Sequence, residues 1–231
     1  SICLELQKAG AENINLVTGS HAVPALHAGL REAKTQGLSI PILWNSSAYE
    51  ESWAIDFGAD QIDVYLPDLK TLDSRISQRY FNAPDYPEKA TAAIKRMIQH
   101  KNLCYSTSRS DPDIQILQSG TIIRHLVLPG SLESTKAVLE WFAEHAKGKA
   151  LLSLMTQYTP VPTVESQLPS ERYVEQGEYE QLLRWLEDYD IEDGFYQELV
   201  SSSDWLPDFN KKNPFSSELS IPVWHWNYGF N

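Results

Sequence analysis

Gln61-Ile62-Asp63-Val64-Tyr65-Leu66-Pro67-Asp68-Leu69-Lys70 is an apolar, β-rich run that stops at a proline and then presents an acid and a base two residues apart. A run apolar on both faces suits a parallel strand covered on both sides. The C-terminal ends of such strands are where α/β enzymes assemble their sites. Asp68 and Lys70 are therefore expected at a rim. Alone they would amount to a surface ion pair contributing next to nothing, so their meaning depends on what other strands bring to the same rim.

The neighbouring stretches repeat the pattern. Residues 1–10 read as a helix stopped by Gly10, and a chain opening inside a helix is expected to have lost something upstream. Residues 13–18 read as a strand tipped by Gly19-Ser20-His21 and followed by a helix over 23–36. Residues 40–44 form the next strand, tipped by Asn45-Ser46-Ser47, with a short helix over 50–58; Pro41 is tolerable only near a strand start. After Lys70 come helical turns near 73–80 and a helix over 87–101, with Pro87 in its first turn and Ala90, Ala93, Ile94, Met97 and Ile98 on one face. Residues 103–120 are polar and lack a period, and read as a surface insertion with a short extended piece at 114–117. A strand over 121–128 contains Arg124 and ends in Pro129-Gly130; a helix over 133–147 follows. A strand over 150–155, tipped by Thr156-Gln157-Tyr158, leads through a Pro-rich connection to a helix over 178–189 and a further strand over 194–200.

Strands alternating with helices specify an α/β fold with a parallel sheet, open or curled into a barrel, and right-handed crossovers. Residues 1–200 are read as this core. Residues 201–231, with Trp205, Trp224 and Trp226, are expected to pack on it as an irregular, aromatic-rich extension.

Composition narrows the function. A net charge of −12 and a pI near 4.9 exclude a nucleic-acid partner, which would require clustered Lys and Arg. No segment approaches the roughly 20 apolar residues of a membrane span. Two cysteines, Cys3 and Cys104, fall short of a disulfide framework or a four-thiolate cluster and fit a reducing cytoplasm. Gly-rich phosphate loops, the Rossmann fingerprint, His-Glu-x-x-His and Gly-x-Ser-x-Gly are missing, and Cys104 has no evident His partner for a nucleophile's role.

Each polar tip has an ordinary explanation. Ser20 and Ser47 suit helix N-caps, His21 a loop, His125 a satisfied core histidine, and His27, His100 and His145 helix faces. Arg124 resists such an explanation, because a guanidinium inside an apolar strand needs a buried anion or several carbonyls. Polar tips converging on one rim point to a small anionic or zwitterionic ligand.

Asp68-Leu69-Lys70 at a strand end, followed by Arg124-His125-Leu126-Val127-Leu128-Pro129-Gly130, resembles radical S-adenosylmethionine (SAM) enzymes of the pyruvate formate-lyase activating kind. Residues 10–18, 65–70, 82–87 and 154–158 are similar to their stretches in the same order, and the likeness runs over about residues 4–200. The resemblance implies a partial (βα)6 TIM-like barrel whose first strand and Cys-x3-Cys-x2-Cys loop lie upstream of this chain. It also implies a four-iron four-sulfur (4Fe-4S) cluster that cleaves SAM reductively to a 5′-deoxyadenosyl radical, which abstracts hydrogen from a substrate. A flavodoxin or ferredoxin reductant and a glycyl radical enzyme partner follow from the same likeness. By position, Thr18, Ser20 and His21 stand where the family contacts the SAM amino group. Asn45, Ser46 and Ser47 stand where it contacts SAM and a monovalent cation, with Ala48 replacing the usual Gly. Asp68 would bind SAM or the cation, Lys70 would face the substrate as the catalytic residue, Arg124 would take a carboxylate, and Gln157 would lie near the adenosine. Two other readings compete: a cofactor-independent barrel lyase with Lys70 as a Schiff-base lysine, and a non-catalytic module that binds SAM or another metabolite.

Overall fold

Residues 42–46 and 121–126 alternate buried and partly buried side chains, which gives those strands one face to bury, and apart from one short antiparallel arm the strands join the sheet in chain order. The computed structural model describes residues 1–107, 111–160, 171–199, 208, 211, 213–214, 222–225 and 227–230. β1 (Ile14–Val17), β2 (Ile42–Ser46) and β3 (Val64–Pro67) are followed by a short arm, β4 (Cys104–Thr107), and then by β5 (Gln115–Leu126), β6 (Leu151–Met155) and β7 (Gly194–Tyr196). The sheet order is β1-β2-β3-β5-β6-β7, parallel throughout, with β4 antiparallel on β5.

The order never reverses, so right-handed crossovers return the helices to one face and curl the sheet as a partial TIM-like barrel rather than a doubly wound sheet. The helices are α1 (Ile2–Lys8), α2 (Val23–Thr35), α3 (Ser52–Gly58), α4 (Ser74–Phe81), α5 (Tyr86–His100), α6 (Leu132–His145) and α7 (Gln176–Asp188). Ile14, Ile42, Trp44 and Tyr65 pack with Val23, Leu30, Ile55 and Met97. Ile123, Leu152 and Leu154 pack with Ala90, Ile94, Leu139, Phe142 and Leu182. The opposite face is a concave trough carrying Asn45, Asp68, Arg124 and Ser153, which are partly buried.

Where residues 103–120 read as an insertion without a period, the structure has a hairpin of β4 on the first half of β5. The reason is physical: all four β4 residues are exposed, so backbone pairing holds them and no alternation of burial marks them. At Gly120 strand β5 exchanges partners, leaving β4 after Ser119 and taking β3 at Val64. Gly120 has φ +147°, and a Cβ there would lie 2.8 Å from Leu103 Cδ2. Residues 201–231 lie mostly outside the described residues, as do residues 161–170 of the Pro-rich connection. Within the tail the structure describes a small antiparallel hairpin, β8 (Trp224–His225) with β9 (Gly229–Phe230).

Gly120→Ala is expected to lower stability by about 1–3 kcal/mol through backbone strain and the Leu103 contact, read from the urea unfolding midpoint.

Candidate ligand site

Register brings the acid and the base of the β3 end to Arg124. Asp68 bridges Arg124 in parallel just beyond β3, and Arg124 Nη2 lies 2.6 Å from Asp68 Oδ1. The same Nη2 donates to Asn45 Oδ1 at 2.6 Å, reaching across β3 to β2. Lys70 Nζ donates to Asp68 Oδ2 at 2.8 Å. One carboxylate between two cations leaves a local charge of +1 in a chain of net −12. The three side chains retain 21–36% of their exposure, Asp68 least and Lys70 most, so a ligand can reach them. Arg124 Nε is buried and makes no hydrogen bond among the described residues.

The backbone beneath them is tightly held. Asp68 N donates to Ser46 O and Leu69 N to Arg124 O, each at 2.9 Å. The Tyr86 hydroxyl, from the first turn of α5, donates to Asp68 O at 2.7 Å and accepts from Lys70 N at 3.0 Å. His125 Nδ1 donates to Leu69 O at 2.7 Å, while its Nε2 accepts from the Thr135 hydroxyl at 2.9 Å. A carbonyl can only accept, which sets this tautomer. Burial pushes the imidazole down to about 4, against the help of the Leu69 carbonyl, so His125 is neutral in the fold.

The β1 and β2 tips behave differently. Ser46 alternates with Ile42 and Trp44 onto the helix face, where Glu50, which is buried, collects donors: Ser46 Oγ at 3.0 Å, Trp44 Nε1 at 3.0 Å and Ser20 Oγ at 2.5 Å. Ser20 and Ser46 thus point to a carboxylate outside the trough. Ser47 is exposed and its Oγ accepts from Tyr49 N at 3.4 Å. His21 Nδ1 donates to Thr18 O at 3.1 Å. Thr18 and Ala48 both adopt left-handed backbone, φ 58° each, so Ala48 keeps a glycine-type turn. Gln157 Oε1 accepts from Gln197 Nε2 at 3.0 Å beyond the ends of β6 and β7. Asn45, Asp68, Lys70 and Arg124 are brought together; Ser20 and Ser46 converge on Glu50 instead; Thr18, His21, Ser47 and Gln157 follow the strand ends and make their hydrogen bonds with other residues. Glu50, Tyr86 and Thr135 escaped notice as supports, whereas His125 is the satisfied core histidine expected from the sequence, buried and bonded at both ring nitrogens. Only the odd polar residue in an apolar strand, His125, carried a signal.

A cavity of about 830 Å³ lies outside the trough, lined by the starts of α4 and α6 and by Glu178. Its lining arginine, Arg75, is spent on Asp73 at 2.9 Å, Glu178 is paired with Arg172 at 2.7 Å, and Glu133 adds a further acid, which leaves the trough as the better site for an anionic or zwitterionic ligand.

No protein-family model matches the chain. An uncharacterized protein of Methanocaldococcus jannaschii is 25% identical over 182 residues, 79% of this chain and 48% of that protein. The chain spans about half the length of that curated relative. The crystal structure of a domain of a pyruvate-formate lyase-activating enzyme from Bacteroides vulgatus superposes with a TM-score of 0.55 at 15% identity, covering 80% of this chain and 98% of that domain. At this identity the likeness is one of fold.

Tyr86→Phe removes the hydroxyl that holds Asp68 O and Lys70 N, and should cost about 1–3 kcal/mol in urea unfolding. His125 makes a pH-dependent contribution. Its folded value lies below the ordinary 6.5, so its stabilisation is complete above that value and disappears as pH falls through about 4. Between pH 7 and pH 4 the chain should lose roughly 3 kcal/mol more than His125→Gln does, measured by urea unfolding at both pH values.

Proposed function

We propose that the trough binds the amino-acid end of SAM and that the chain is the cofactor-binding part of a radical SAM enzyme of the activating kind. The observation that carries this is Arg124: its guanidinium is braced by Asp68 and Asn45, keeps a buried Nε–H without a hydrogen bond among the described residues, and contributes to a net positive site. The donor set fits an α-amino acid. Arg124 offers a planar fork to a carboxylate, Asp68 takes an ammonium or a monovalent cation, and Asn45 holds the arginine in place. Ala48 in the left-handed region supports the fit, since the resembled turn has glycine there.

Bound SAM would supply a source of a 5′-deoxyadenosyl radical. The residues of this chain do not fit the 4Fe-4S cluster: among the described residues no group of three His, Cys, Asp or Glu side chains could hold a metal ion, and Cys3 and Cys104 are both free. What this chain does is bind, orient and neutralise. The sharing of Asp68 between Lys70 and Arg124 fixes both cations, and a ligand carboxylate competes with Asp68 for Arg124 while its ammonium competes for Asp68. Lys70 then faces the substrate side of the trough. The substrate class is a hydrogen donor, a glycyl radical enzyme in the reading taken from the resemblance, with a flavodoxin or ferredoxin as reductant. Among the described residues no helix is long and apolar enough to cross a membrane.

Isothermal titration of the 231-residue chain with SAM should show saturable binding. Arg124→Gln should weaken it about 10- to 150-fold, the loss of charge-assisted hydrogen bonds worth about 1.5–3 kcal/mol, with urea unfolding confirming an intact fold. Absence of binding, or equal binding by Arg124→Gln, overturns the reading.

A further inference from the structure

The trough continues below the row that holds Asn45 and Arg124. Leu43 and Ile122 stand two residues earlier on the same strands, so they share that face and lie about 6.6 Å lower. Register sets Val64 beside Leu43. These three residues line a cavity of about 640 Å³ toward the N-terminal ends of the strands. Its other wall is the arm formed by β4 and the first half of β5, which contributes Ser106, Ile116 and Gln118. The exchange of partners at Gly120 therefore raises this wall, because it carries the arm past the end of the parallel sheet.

Small-molecule sites of this size combine a largely apolar surface with a few polar groups, and more than half of the residues lining this cavity are apolar. The polar groups at its edge are unspent. Among the described residues no hydrogen bond or ion pair reaches the side chains of Glu12, Asn13, Ser106 or Gln118. Charge separates the cavity from the row above it. Asp68, Lys70 and Arg124 leave that row one positive charge in excess, whereas Glu12 is the one charged residue among the described residues lining the cavity. An anion entering there would give up hydration without meeting a cation. An ammonium would meet Glu12 and the carbonyl oxygens of two side-chain amides.

We propose that this cavity is a second ligand site, one that takes an organic amine with an apolar body. The hydrocarbon or ring lies on Leu43, Val64 and Ile122, and the ammonium stays at the edge against Glu12, with the amide oxygens of Asn13 and Gln118 as further acceptors. The Asp68–Arg124 row, at the other ends of the strands, is no part of it. The two sites share no residue, so this proposal stands or falls separately from the SAM-binding reading.

Isothermal titration of the 231-residue chain compares probes that carry opposite charges on one body: tryptamine with indole-3-acetate, and octylamine with octanoate. Both amines should bind saturably, each about fivefold or more tighter than its acid. Glu12 is exposed, and an exposed carboxylate contributes modestly, so Glu12→Gln should weaken the amines about two- to fivefold and narrow the gap between amine and acid. Ile122→Trp occupies the space of the apolar body and should weaken both amines about tenfold or more, with the urea unfolding midpoint as the check on its fold. Asp68→Asn should leave amine binding within about twofold, since an ammonium held at the upper row would lose its carboxylate there. The site is refuted if neither amine binds saturably, if the acids bind as tightly, or if Asp68→Asn weakens the amines as much as Glu12→Gln does. A folded Ile122→Trp chain that keeps the amine affinity refutes it as well. Should Ile122→Trp unfold, Glu12→Gln, outside the core and ahead of β1, decides.

Discussion

The rim depends on how the backbone of Asp68, Leu69 and Lys70 is held. Just past the end of β3 the chain could leave the sheet as loop. Instead, five of its polar groups are bonded to four other residues: Ser46 O, Arg124 O, the Tyr86 hydroxyl twice, and His125 Nδ1. With the peptide planes fixed, Asp68 and Lys70 keep one orientation, and the Asp68–Arg124 pair forms at 2.6 Å without first ordering a loop. Pre-organisation of this kind places the entropic cost of assembling the site in folding rather than in binding.

The β1 and β2 tips are held by other means. Thr18 and Ala48 both occupy the left-handed region, at a cost of order 1–3 kcal/mol each. Such conformations persist when the surroundings over-determine them. Here Glu50 does so, with its carboxylate accepting from Ser20, Trp44 and Ser46 at once. Gly19 packs between these supports, where a Cβ would meet Leu26 and Trp44 at 2.8 Å. A buried carboxylate with three donors ties two neighbouring strand ends into one unit.

Much of this was legible in the sequence, and the rest was hidden for identifiable reasons. The alternation of strand and helix gave the layered fold, and Arg124 inside an apolar strand announced a partner that proved to be Asp68. The hairpin at β4 was invisible because exposed strands have no burial pattern to imprint on sequence. Asn45, Ser46 and Ser47 look alike as a polar tip, yet β2 extends through Ser46, so the pleat sends Ser46 to the helices and Asn45 to the trough. The end of the strand, not the residue types, decided which hydroxyls were available. Glu50 and Tyr86 act through tertiary contacts from loop and helix, and no spacing along the chain foretells them.

The parallel sheet divides its labour by face. Residues that stabilise the fold, such as Ile42, Tyr65, Ile123 and Leu152, are buried toward the helices, whereas Asn45, Asp68, Arg124, Ser153 and Phe195 share the other face. Substitutions in the trough remove little packing, so an evolving lineage can exchange them without crossing the threshold at which the domain unfolds. A new specificity is accessible through a few changes on one side of the strands. The same division explains how a fold can remain superposable on a domain with 15% sequence identity: layer architecture is under one set of constraints and trough chemistry under another, and the two can drift independently.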